Sequence, residues 1–232
     1  MVDTEEITLK IEALPNQEVR FSEKDAVPDS IRGYLCYKDG KWNFEEIMTN
    51  RYKGRKYSEK LIKANDFIIA LNLESPHTYE FDSNGKPLLP AQGKTGENIT
   101  EQIEIIAPKI GLDTSHRYVL ILTNPIQYQA SCYNQLKDKK EYKNKKSKIR
   151  DEVFLELFLN KNLKKDFKER LLKYEENNLK IIINCCTKKL KSPVANVIDE
   201  SLSGKNIQYY EGYHPSCWNF FKGGNISKKK RL

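Results

Sequence analysis

Three short stretches of this chain carry residue types that could act together on one ligand. The first is Leu73-Glu74-Ser75-Pro76-His77-Thr78-Tyr79-Glu80, a carboxylate beside a proline turn. The second is Thr123-Asn124-Pro125, a side-chain amide at the end of an apolar run. The third is Tyr213-His214-Pro215-Ser216-Cys217-Trp218, which holds one of only three histidines. A carboxylate can stabilise a developing cation or orient a water. An amide offers both a donor and an acceptor, as the edge of a nucleobase requires. An imidazole can donate to a departing anion, and Pro215 biases His214 toward extended geometry. Each stretch also has a plainer reading: a polar surface loop, an Asn that starts a turn before proline, a structural His.

The elements that must position these groups are legible nearby. "DFIIALNL" (66–73), "RYVLILTN" (117–124) and "LKIIINCC" (179–186) are apolar runs of strand length, and "NIQYYEGY" (206–213) is a weaker fourth. Runs apolar on both faces suit a sheet covered on both sides. Helical patterns lie between them. In 97–111, Ile99, Ile103, Ile106 and Ile110 recur at helical period, with Gly111 as a stop. Residues 151–177 carry Phe154, Leu157, Phe158, Phe167, Leu171 and Leu172 on a stripe, and 192–202 starts with a Ser192 cap and Pro193 at the first helical position. The expectation is an α/β fold, a three-layer αβα sandwich around a central, mainly parallel four-stranded sheet. In such sheets the site lies beyond the carboxyl ends of the strands, where all three stretches fall. Residues 1–65 read as an N-terminal elaboration, in which "IRGYLCYKDGKWNF" makes a hairpin around Asp39-Gly40. Residues 66–222 read as the α/β domain and 223–232 as a basic tail.

The 232 residues suffice for one such domain with a real core. A net charge of +8 favours polyanionic partners without naming one. No run approaches the length that spans a bilayer, and the acidic "MVDTEEITLK" start is unlike a signal peptide. Five cysteines without framework spacing point to reduced thiols and a cytoplasmic location.

Taken together, the three stretches resemble the uracil-DNA glycosylase superfamily, nearest to its thermophile-type branch. There a Gly-Glu-Ala-Pro-Gly-x-x-Glu motif is followed by Gly-x-Pro-Phe, an Asn at a strand end and a His-Pro-Ser loop. Glu74, Pro76 and Glu80 fall in register with it, as do Gly85, Pro87 and Gly93, over roughly residues 66–222. The resemblance implies a protein that binds DNA and hydrolyses the N-glycosidic bond of a flipped uracil or other altered base. It implies Glu74 as the catalytic carboxylate and His214 as the donor to the leaving base. Asn124, His77, Leu88 and Ser75 would surround the base. Ser216 would hold phosphate, and Trp218 would fill the hole left in the duplex.

Several positions depart from that pattern. Leu73 replaces the opening glycine, and His77 the glycine after proline. Leu88 replaces the stacking aromatic, a contact worth about 1–3 kcal/mol per base, unless Tyr79 or Phe81 takes its place. The branch also carries a four-cysteine iron–sulfur cluster; here the close N-terminal cysteine pair is missing, and no cluster, metal or other cofactor is expected. "LKDKKEYKNKKSKIR" (136–150) packs eight Lys and Arg into fifteen residues. By itself that is a solvated charge run; beside a DNA crevice, Lys143, Lys145, Lys146 and Lys148 would bind phosphates. DNA is the expected partner, single- or double-stranded, and a membrane is not.

Three other readings stand beside this one. "QGKTG" (92–96) suggests a phosphate-binding loop but lacks the glycine five places earlier, where Leu88 stands. A nucleic-acid-binding module without turnover would keep the fold. An enzyme acting on a small base or nucleotide would keep the pocket.

Overall fold

The computed structural model describes residues 6–49, 52–136, 139–221 and 224–229. The first five and last three residues therefore lie outside it, including part of the basic tail. In chain order, β1 (Ile7–Lys10) and β2 (Glu18–Phe21) form a separate hairpin. A second hairpin, β3 (Ser30–Lys38) and β4 (Lys41–Glu46), turns at Asp39-Gly40, as the sequence implies. Both turn residues have positive φ, 52° and 78°, as a two-residue type I′ connection requires. The short β5 (Met48–Thr49), β6 (Tyr52–Lys53) and β7 (Arg55–Lys56) follow. Then come β8 (Asp66–Asn72), α1 (Lys94–Ile106), β9 (Arg117–Thr123), α2 (Lys139–Leu155) and α3 (Leu163–Glu176). The chain continues through β10 (Leu179–Asn184), α4 (Lys188–Leu202), β11 (Gln208–Glu211) and β12 (Ser227–Lys228).

The four apolar runs become β11, β10, β8 and β9, adjacent and parallel. The sheet does not stop there. Its order is β12-β11-β10-β8-β9-β3-β4, with β7 also against β3, so among the described residues it has eight strands rather than four. The added strands are antiparallel. They escape a search for runs apolar on both faces because β4 is polar at most positions and β12 has two residues. Residues 30–46 and 55–56 thus supply strands to the same sheet as residues 66–222.

Alternate residues of each strand enter opposite cores. Ile68, Ala70, Val119, Ile121 and Ile182 pack with the apolar sides of α2, α3 and α4. Ile69, Leu71, Leu120, Leu122 and Ile183 pack with Ile99, Ile103 and Ile106 of α1. Helices therefore cover both faces of a mixed sheet with a parallel centre, an arrangement compatible with a three-layer sandwich.

Two helix boundaries differ from expectation. The 151–177 pattern belongs to two helices: α2 begins within the basic run and ends in one π-turn (Glu156–Asn160), and Asn162, at φ 60°, precedes α3. Helix α4 starts at Lys188 after Thr187, so Ser192 is not its cap and Pro193 lies inside it. The apolar period of α4 includes Leu190, which is fully buried and draws the helix start back past the proline. Among the described residues no helix is long and apolar enough to cross a membrane.

Because the central strands are parallel and in register, Thr123, Asn72, Asn184 and Glu211 form one row across their carboxyl ends. The chain leaves that row through the three chemically unusual stretches.

Candidate active site

At this end of the sheet a cavity of about 440 Å³ opens, large enough for a nucleobase. Glu74, Ser75 and His77 wall it from the β8 end, His214 and Ser216 from the β11 end. Another hollow, about 520 Å³, lies between β2 and Gln129 and holds none of these groups.

Glu74 is 5% exposed and its carboxylate is held at both oxygens. Oε2 accepts from Thr187 N (3.0 Å) at the start of α4, where a helix favours negative charge. Oε1 lies 3.1 Å from Arg150 Nε, a residue of α2 that also contacts Asp151. The backbone N–H of Glu74 donates to Asn124 Oδ1 at 3.3 Å.

His214 is half-buried. Its Nδ1 lies 3.3 Å from Ser216 N, which donates to it, and 2.9 Å from Ser216 Oγ. An accepting Nδ1 assigns the ring proton to Nε2. Burial, then the positive charge of Arg150 and the neighbouring His77, push this imidazole down to about 4. It is therefore a neutral donor at pH 7. Asn98 of α1 donates to Pro215 O at 2.8 Å and anchors the loop from the opposite side.

Trp218 corrects the expectation of an exposed wedge. It has no exposed surface, its Nε1 donates to Tyr213 O at 2.9 Å, and it packs with the α1 core. A Cβ on Gly224 would lie 2.3 Å from Trp218 Nε1, so the backbone closes directly over the indole. The indole holds the His214 loop from within. The aromatics of this C-terminal stretch that reach the surface are Phe220 (83% exposed), Phe221 and Tyr213, the last two with rings 4.8 Å apart.

Asn124 and Leu88 also fall elsewhere than expected. Asn124 is 1% exposed and is not among the cavity walls; it lies beneath them, under the backbone of Glu74. Arg170 of α3 fixes it from behind, donating to Asn124 O (3.1 Å) and Pro125 O (3.2 Å) while paired with buried Asp29. Leu88 N donates to Glu80 O at 2.8 Å within a small hairpin closed by the Phe81–Pro87 bridge, and that hairpin carries Leu88 past the cavity. The aromatic at the cavity is Tyr79, which lies against Gly93, with its ring 5.3 Å from that of His77.

Glu80 is the polar group on the wall above Asn124. It is 5% exposed, and Oε1 accepts from Ala91 N at 2.8 Å. Burial pushes its carboxyl up to about 8, against the opposing pull of the Ala91 and His77 backbone. The Asn124 amide lies near enough to favour the ion without closing a hydrogen bond. Ala91 itself sits at φ 57° and its carbonyl accepts from the fully buried Arg32 at 3.3 Å. This wall is strapped from two sides.

The basic run divides by helical face. Lys146 and Arg150, four apart, line the cavity with Lys94 of α1. Lys148 faces Glu12 (3.7 Å) and Glu152 (3.5 Å), and Lys145 donates to Ala13 O, so neither joins the cavity. Lys143 is exposed and is not a cavity wall either. Among the described residues, no group of three or more His, Cys, Asp or Glu side chains is placed to hold a metal ion.

Arg150 and Thr187 are the residues that sequence reasoning left out of the site. Arg150 ends the quoted basic run, and only its helical spacing from Lys146 hinted at a shared face. Compared with protein-family models, curated proteins and solved structures, the chain matches none.

Proposed function

We propose that this protein is a DNA glycosylase with a uracil-DNA glycosylase-like fold, hydrolysing the N-glycosidic bond of a flipped uracil or other altered base. The observation that carries this reading is the convergence of Glu74 and His214 on one cavity of nucleobase size at the strand carboxyl ends.

In that reading the C1′–N bond breaks, its electron pair leaves with the base, a water oxygen bonds to C1′, and the proton that the water loses ends on the departed base anion. The Glu74 carboxylate stabilises the cationic sugar. The neutral His214 donates its Nε2 proton as a hydrogen bond to the base oxygen on which charge builds. A neutral donor suits this task because it need not surrender a proton to water first, and Ser216 keeps the tautomer. Lys146, Lys94 and the Ser216 hydroxyl meet the flanking phosphates, and Tyr79 stacks on the base. Phe220 takes the duplex-filling role expected of Trp218.

Oligonucleotides carrying uracil or another altered base, treated with protein and then alkali, test this directly. Strand breaks at the altered base with the wild type and none with Glu74→Ala are expected. Binding should weaken steeply with salt.

One observation favours a second reading, a nucleic-acid-binding module without turnover. Both oxygens of Glu74 are already engaged, one by a full positive charge, which leaves less of the carboxylate for a sugar cation. Salt-sensitive binding with no abasic product would favour it.

A further inference from the structure

The two oxygens of Glu74 are covered in different ways. Oε2 is fixed by Thr187 N, which is main chain, whereas Oε1 is covered by the side chain of Arg150. That guanidinium is held chiefly by its neighbour on α2. Its Nε and Nη2 both donate to Asp151 Oδ1, at 3.0 and 2.6 Å. Glu74 Oε1 lies 3.1 Å from the same Nε, so one N–H is divided between two acids. Nη1 has no partner among the described residues.

One turn earlier on the same helical face stands Lys146. It lines the cavity, is exposed, and pairs with no acid among the described residues. Burial first, and then the charge of Lys146, lower the His77 imidazole, so that charge reaches the β8 end of the cavity. Arg150 Nη1 and the Lys146 ammonium thus stand side by side on one wall as donors without acceptors. Phosphate oxygens suit such a pair, accepting from a guanidinium and an ammonium together. We propose that Arg150 is a positioning residue that exchanges partners: a phosphate of the bound strand takes its guanidinium, and Glu74 Oε1 is uncovered toward the sugar. The inference rests on the reading of the cavity as a DNA glycosylase site.

Burial makes the exchange useful. Glu74 is 5% exposed, so little water can replace the guanidinium. Once uncovered, Oε1 carries a poorly solvated negative charge. Such a charge gains most from a cation that develops beside it, here the oxocarbenium-like sugar. With no strand seated the pair stays closed, and the covered carboxylate is the resting state of the site. Asp151, which also lies 3.6 Å from Lys189, keeps the guanidinium within reach for its return. No covalent bond forms or breaks in the exchange.

The coupling is reciprocal. If phosphate weakens the Arg150–Glu74 pair, loss of the Glu74 charge strengthens phosphate binding by the same factor. Fluorescence anisotropy at pH 7 measures this on the full chain, with an oligonucleotide carrying a tetrahydrofuran abasic analogue, which has the phosphates and no base to cleave. Glu74→Gln should bind it at least about fivefold more tightly than wild type. The gain should vanish when both proteins also carry Arg150→Gln. No binding, no gain, or the same gain alongside Arg150→Gln, as mere removal of a negative charge would give, would overturn the proposal. A second measurement needs only Glu74→Gln. In nitrogen-15 NMR, the arginine Nε–H signal that moves most between wild type and this variant reports on Arg150. Adding the oligonucleotide should carry the wild-type signal toward its position in the variant, and a signal that stays would refute the exchange. Inorganic phosphate at the same phosphate concentration should barely move it; an equal effect would deny the role to a strand. Cleavage at uracil alongside any of these negative results would sink the exchange and leave the glycosylase reading. The expected binding and NMR results without cleavage would keep the exchange and sink the glycosylase reading instead.

Discussion

Arg150 Nε stands 3.1 Å from Glu74 Oε1, so one ion pair fastens α2 to the end of β8 at the mouth of the cavity. The carboxylate is nearly buried and the guanidinium about a quarter exposed. Removing the cation leaves a buried charge with one backbone partner, which costs about 1–3 kcal/mol. Arg150→Ala should therefore lower the midpoint of urea unfolding, and Glu74→Gln should recover part of that loss in the double variant. Independent, additive effects in the double-mutant cycle would show that the pair contributes nothing.

His214 is expected to stay neutral, with its proton on Nε2, far into the acid range. Its folded value is lowered from 6.5 to about 4, so between those values the unfolded chain binds the extra proton. Its contribution to stability is complete above pH 6.5 and is lost as pH falls through 4. Nitrogen-15 NMR of the imidazoles at pH 5.5 reads both points. A protonated His214 at that pH would refute the assignment. In glycosylase assays His214→Ala should cut turnover about 10²–10³-fold and leave oligonucleotide affinity almost unchanged.

Glu80 runs the other way. Its folded value is raised from 4.5 to about 8, so the folded chain holds a proton that the unfolded chain has released. Its stability contribution is full below pH 4.5 and is lost progressively up to pH 8. Glu80→Gln should be near neutral at pH 4.5 and stabilising at pH 8.5, with a ceiling of about 5 kcal/mol. Paired denaturation curves at the two pH values measure this; a difference that does not grow with pH would mean that Glu80 ionises normally.

Trp218 and Phe220 should separate structure from binding. Trp218 is fully enclosed, so Trp218→Ala should cost about 3–5 kcal/mol. Phe220 is 83% exposed, so Phe220→Ala should change stability by less than about 0.5 kcal/mol. It should nevertheless weaken oligonucleotide binding by about 1–3 kcal/mol if the ring meets a base. Unchanged affinity by fluorescence anisotropy would remove Phe220 from the interface.

Gly96 marks where α1 presses on the cavity wall. A Cβ there would stand 1.9 Å from Ala91 O and 2.7 Å from Arg32 Nη2. The first is backbone, held by Glu80 on one side and Arg32 on the other, and cannot swing away. Gly96→Ala should cost at least about 1–3 kcal/mol, read as a loss of thermal midpoint; a gain, as helix propensity alone would give, would show that the wall is loose.

Much of the architecture was legible because its signals are local. Ile68 to Leu71, Val119 to Leu122 and Ile181 to Ile183 are apolar at consecutive positions, and such runs have few places to go but the centre of a covered sheet. The Asp39-Gly40 turn and the Gly111 stop follow from positive φ, seen in both. That the three chemical stretches lie at one edge followed once the strands were parallel. The edges of the sheet were not legible, because a strand such as β4 shows its partner only through pairing with distant β3 residues.

From the order of its residues alone, this chain determined the four central strands and the helical stretches between them, and that an acid, an amide and an imidazole leave the sheet at the same end. Tertiary structure decided what each of them does. It put the Trp218 indole in the core and Phe220 outside, slid Asn124 under the floor, and set Arg150 on Glu74. It also bridged Glu74 to Thr187, 113 residues away. Periodicity and turn chemistry depend on neighbours in sequence. Burial, ion pairing and the proton on Glu80 depend on what packs from elsewhere, and no local pattern records that.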